Sequence, residues 1–195
     1  MLKFLLLLGC WLVASGSIRQ SPPTAFPDTP TITENSVGKA RIGMAVTKLK
    51  ELYKGCTFTS VHLGQFGFDD YGSKLNAIAV SYNRQRLFVF FPGGQANKVA
   101  GFFVFHPAYK TATGIHVGST SGQLKAALPA VRVGPSELMI EMEIAAVERG
   151  EEQLPIVEYI FYKQGFLGKN KDSIVSSEIA VFNAKISWIQ VFPNP

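Results

Sequence analysis

Apolar residues recur at helical spacing in two short places along this chain and in strand-like runs almost everywhere else. The first helical pattern covers 46–54. Val46, Leu49 and the pair Leu52-Tyr53 form a stripe, while Lys48, Lys50 and Glu51 fall on the opposite side. Gly55 follows directly, as a glycine after a last helical turn does. The second pattern covers 121–128, with Ser119 or Thr120 placed to cap it and Pro129 to stop it. After the first pattern come strand-like runs at 57–63, 75–82, 87–91 and 99–105; after the second, at 130–133, 138–147, 156–162 and 186–192. Turn signals separate them: Asn83-Arg84-Gln85-Arg86, the stretch from Pro92 to Asn97, and Gly150-Glu151-Glu152. Residues 106–114 read as a connector and 163–177 as a long loop.

The two halves match each other. Superposing Gly43 on Gly118 places Leu49 on Leu124, Lys50 on Lys125 and Tyr53 on Leu128, at one offset of 75. Near the ends, Lys98 falls on Lys185, Val99 on Ile186, Phe102 on Ile189, Val104 on Val191 and Phe105 on Phe192, at an offset of 87. Two matches in the same order point to an internal repeat. The expected fold is α+β: two tandem helix-plus-antiparallel-meander repeats sharing one sheet, with the helices on one face. The expected organisation is a targeting segment at 1–16, a flexible arm rich in Pro, Ser and Thr at 17–39, repeat one at 40–106, and a connector with repeat two at 107–195. Each half alone would bury a marginal core, so the halves are expected to share one.

The targeting segment changes the picture of where the protein works. Lys3 gives a small positive start, residues 4–13 are an apolar run too short to span a bilayer, and Ala14-Ser15-Gly16 supplies small residues for cleavage after Gly16. Leu7-Leu8-Gly9-Cys10 also resembles a bacterial lipobox, which makes Cys10 a candidate lipidation site and the protein a candidate lipoprotein. Both readings place it outside the cytoplasm, secreted or periplasmic in the first, lipid-anchored in the envelope in the second. Membrane attachment is expected only with lipidation. Loss of Lys3 lowers the formal charge from +5 to +4. The basic residues are scattered, so no nucleic-acid partner is expected. Cleavage would leave Cys56 as the single cysteine, a core or turn residue without an intramolecular disulfide.

The sequence holds no arrangement that reads as catalytic. His62, His106 and His116 form no metal-ligand spacing, and Asp69-Asp70 lacks a calcium-loop register. Gly118-Ser119-Thr120-Ser121-Gly122 has its serines out of place for a nucleophile elbow and reads as a helix cap. No cofactor, no metal and no enzymatic activity are expected. The one stretch with spare aromatics is the Gly-rich loop at 64–73. Phe66, Phe68, Asp69, Asp70 and Tyr71 are therefore the candidate partner-binding residues, with a lid over the sheet end as the alternative role for the two phenylalanines.

The strand, glycine, small or hydroxyl residue and short Leu-bearing helix resemble the SmpA/OmlA and beta-lactamase-inhibitor-protein-like (BLIP-like) group of small exported bacterial proteins. Arg41-Ile42-Gly43-Met44 carries the likeness in the first half. The connector Pro107-Ala108-Tyr109-Lys110-Thr111, with Gly114-Ile115-His116-Val117-Gly118-Ser119-Thr120, is similar to uncharacterised exported proteins of Bacteroidetes-type bacteria. The resemblance implies binding or scaffolding in the envelope, with another envelope protein as partner. A periplasmic carrier of a small apolar ligand is the alternative, and an enzyme of unrecognised type the third reading.

Overall fold

The computed structural model describes residues 26–66, 76–93, 97–136, 139, 141–147, 157–165, 167–168 and 179–192. Three two-residue strands come first: β1 (Ile32–Thr33), β2 (Ser36–Val37) and β3 (Ala40–Arg41). Helix α1 (Val46–Leu52) precedes β4 (Thr57–His62), a 3₁₀ turn (Leu63–Phe66), β5 (Asn76–Tyr82), β6 (Gln85–Gly93) and β7 (Lys98–Val104). Helix α2 (Ser121–Ala127) precedes β8 (Arg132–Pro135), β9 (Met142–Ala146), β10 (Val157–Tyr162) and β11 (Trp188–Val191). β1, β2 and β3 form a small sheet. The other eight strands form one sheet in the order β4-β5-β6-β7-β11-β10-β9-β8, every neighbour antiparallel.

The expected α+β fold, two helix-plus-meander repeats with helices on one face, is corrected: the protein is mostly β. The reason is size. Each helix has seven residues, so it is about 10 Å long. Eight strands spaced at about 4.8 Å make a sheet about 34 Å wide, which two such helices cannot cover as a layer. The small sheet and the loops share the covering. α1 presents Val46 and Leu49 to the core, α2 presents Leu124, and Ile32, Val37 and Ala40 of the small sheet join the same cluster.

Strand alternation builds a core on both faces of the large sheet. Phe88, Phe90, Phe102, Val104, Tyr159, Phe161, Ile189 and Val191 point toward the helices. Ala77, Ala79, Val89, Phe103, Ile160 and Trp188 point the other way, where the 3₁₀ turn lays Leu63 and Phe66 over them. Strands buried on both sides read as continuous apolar runs, as Leu87-Phe88-Val89-Phe90-Phe91 does. The register shifts between Val80 and Ser81, which lets Leu87 and Phe88 enter the same core cluster. Gly101 is a close-approach glycine. A Cβ there would meet the Phe91 ring at 2.4 Å, because the ring lies across the bare backbone.

The stretch 26–39, within the expected arm, is pinned to the body. The Asp28 carboxylate accepts the Tyr53 hydroxyl, the Tyr109 hydroxyl at 3.4 Å and the Lys39 amide at 2.9 Å. Gly38, at φ +58, passes so close to this carboxylate that no side chain fits. Burial raises both tyrosine hydroxyls above their ordinary range, and each keeps its proton to donate to Asp28.

Candidate functional site

The site is built where three strands end together. β8 stops at Pro135, which has no amide to donate, and Ser136 extends the ladder by one bond from its N–H to the Met142 carbonyl at 2.8 Å. The Ser136 hydroxyl accepts the Met139 amide at 3.3 Å and tightens the reversal. Glu141 then adopts φ +67 to send the chain into β9, and Lys163 adopts φ +56 as the chain leaves β10. Tyr162 pairs with Met142, and the Lys163 amide donates to the Glu141 carbonyl at 2.8 Å. Two non-glycine residues in the left-handed region thus sit side by side, tied by a hydrogen bond. Such strain costs about 1–3 kcal/mol per residue and gathers at functional sites.

Between these ends lies a cavity of about 410 Å³. Pro135, Ser136, Met139, Glu141, Met142, Glu143, Lys163 and Gly165 line it. That size falls in the range of small-molecule sites, about 300–1,000 Å³. The walls are apolar and adaptable, since methionine fills irregular space with three rotatable bonds. The mouth is charged. Lys163 Nζ stands 3.9 Å from Glu141 Oε2, both side chains 60% exposed, so water screens the pair and leaves each free to turn to a ligand. Lys163 also lies over the Tyr162 ring, 5.1 Å from its centre. Glu143 is committed to structure: its carboxylate accepts the Leu167 amide at 2.6 Å. Burial raises its pKa, and hydrogen bonds from the Leu167 and Gly168 amides partly offset that.

Comparison with known proteins adds a fold and no function. The structure is similar to that of the uncharacterized protein yfeY from Escherichia coli. The TM-score is 0.55 at 13% sequence identity, over 84% of this chain and 99% of that one. No family model matches this chain, and no curated protein sequence does either.

Of the candidate partner-binding residues, Phe66 is placed and Phe68, Asp69, Asp70 and Tyr71 lie outside the described residues. Phe66 is 4% exposed and stacks on Phe103 with ring centres 4.8 Å apart, beside Phe105 and Trp188. Its ring is spent on the core. Among the described residues Phe182 is the single exposed large hydrophobic side chain, at 60%, which does not make a patch. Cys10 lies outside the described residues.

The remaining candidates have local partners. His62 Nδ1 accepts the Gly64 amide at 3.1 Å, His106 Nε2 meets Gln85 Oε1 at 2.9 Å, and His116 Nδ1 meets the Val117 carbonyl at 2.8 Å. Among the described residues no three His, Cys, Asp or Glu side chains gather as metal ligands. Cys56 is half-buried, and burial, with Asp28 nearby, raises its thiol pKa and keeps it protonated. Thr120 caps α2 with a full capping box, its hydroxyl accepting the Gln123 amide at 3.1 Å while Gln123 Oε1 accepts the Thr120 amide at 2.8 Å.

The sequence reading missed Glu158. It lies across from Gln190 on the same sheet face as Ile160 and Trp188. With the Gln190 amide oriented to satisfy both its groups, its nitrogen donates to Glu158 Oε2 at 2.9 Å and its oxygen accepts Trp188 Nε1–H at 3.0 Å. Burial pushes the Glu158 carboxyl up to about 7. A signal was present: Val157, Tyr159, Phe161 and Ile160 are apolar on both parities, so a polar residue among them had no solvent face to occupy.

Proposed function

We propose that this protein is an exported, non-enzymatic binding module of the bacterial cell envelope, and that its cavity takes a small apolar ligand with one polar end. The observation that carries this reading is the cavity beside β8, β9 and β10. It offers Met139, Met142 and Pro135 as walls and the exposed Lys163–Glu141 pair as a polar mouth.

Titration with the fluorescent apolar probe N-phenyl-1-naphthylamine tests the reading. The chain from Ser17 onward should bind it saturably, and Met139→Trp, which fills the space from a half-buried position, should weaken binding at least about tenfold. The melting temperature of that variant should stay close to the parent's. Equal binding by both proteins would rule the cavity out. Export has its own check. Expressed from its full sequence in a Gram-negative host, the protein should be recovered from the periplasm with Ser17 as its first residue. Recovery from the cytoplasm with Met1 intact would remove the envelope assignment.

A further inference from the structure

The large sheet has two edges, β4 and β8, and they are built differently. Natural sheets protect an edge by keeping it short, by placing charge on it, or by ending it in proline. β8 does all three: it has four residues, an exposed Arg132 at its start and Pro135 at its end. β4 does none. It has six residues, Thr-Phe-Thr-Ser-Val-His, with no proline and no Lys, Arg, Asp or Glu. All six pair with β5 on the inner side. On the outer side, alternate residues of an antiparallel strand direct their N–H and C=O groups away from the sheet. Among the described residues no strand or bridge takes them up. Thr57, Thr59 and Ser60 are exposed.

We propose that β4 pairs antiparallel with β4 of a second copy, so that two sheets join edge to edge across a twofold axis at Thr59. The sequence of the strand is what selects a second copy over a foreign segment. In a continuous sheet, residues directly opposite must lie on the same face, so partners share parity. A twofold at Thr59 sets Thr59 against itself, Thr57 against Val61, and Phe58 against Ser60. The first two are β-branched pairs, which are favourable across strands, and no like charges meet. An isologous contact needs only one self-complementary patch, and this edge supplies it. Phe58 is already anchored, half-buried against the core with Lys50 over its ring at 5.9 Å.

The experiment uses the chain from Ser17 onward. Light scattering after size exclusion should give twice the monomer mass at high micromolar concentration. Thr59→Lys, which places two charges together on the axis, should give a monomer with an unchanged melting temperature. In a Cys56→Ser background, Thr59→Cys should form a disulfide-linked dimer under mild oxidation, because the residue faces its own copy. The exposed Thr113→Cys should not. A monomeric parent at every concentration overturns the proposal. So does a dimer that survives Thr59→Lys, or one that fails to cross-link at position 59.

Discussion

Leu49→Ala and Leu124→Ala are each expected to lower the unfolding free energy by about 2–5 kcal/mol, the usual cost of emptying a leucine site in a packed core. Both residues are fully buried in the same cluster. Each is the deepest contact of a helix that has little stability of its own. Seven residues are far below the length at which an isolated helix holds in water, so packing supplies what propensity does not. The two sites differ in their support. α2 has the Thr120–Gln123 capping box, whereas Ala45 before α1 makes no side-chain cap. α1 is held instead by the Tyr53 hydroxyl on Asp28. The removal of Leu49 therefore also loosens the tie to 26–39, and Leu49→Ala should be the costlier of the two. Chemical denaturation of both variants checks this. Losses below about 1 kcal/mol at both positions would mean that the helices do not depend on this cluster.

How far the chain was legible follows the same physics. All eight strands of the large sheet overlap the runs read from sequence; β6, β7 and β10 were readable from apolar continuity, whereas β4 and β8 are more polar and rest on strand propensity and the turn signals beside them. The residue matches between the halves also have a local meaning. Gly43 donates its amide to Val99 at 2.7 Å, and Gly118 donates to Ile186 at 2.9 Å. What those matches did not carry was the balance of the fold. They mark where each short helix is tied to a strand, and they say nothing of how much sheet the helix leaves uncovered.

The small sheet was not legible, because a two-residue strand has no period. The Asp28 latch joins positions 25 and 81 residues apart, and no local pattern encodes that. The cavity was invisible for a related reason. Its mouth depends on left-handed Glu141 and Lys163, residues that carry none of the turn signal a glycine would give. Phe66 shows the converse. A Gly-rich loop with aromatics invites an interface reading, yet its first ring closes over Phe103.

Glu158→Gln is expected to stabilise the protein at pH 8 and to change little at pH 4. In the unfolded chain the carboxyl ionises near its ordinary 4.5, whereas burial holds it up to about 7 in the fold. Below pH 4.5 both states carry the proton, and the group leaves stability untouched. Between 4.5 and about 7 the unfolded chain gives up its proton and the folded one keeps it, so the native state binds more protons and stability falls as pH rises. Above about 7 the loss is complete, at most about 3 kcal/mol for a shift of this size. Glu143, also raised by burial, acts in the same direction. His106 acts oppositely: burial lowers its pKa, so it withdraws stability as the solution becomes acidic. The difference between Glu158→Gln and the parent isolates Glu158 from both. Glutamine keeps a carbonyl that accepts the Gln190 amide, so the ladder to Trp188 survives while the buried charge is removed. Melting temperatures across pH 4–9 should show the two proteins together at the acid end and the variant above the parent at the alkaline end. A variant that is less stable than the parent at pH 8 would mean that the ionised carboxylate is held by a partner beyond the Gln190 amide, one that glutamine cannot replace.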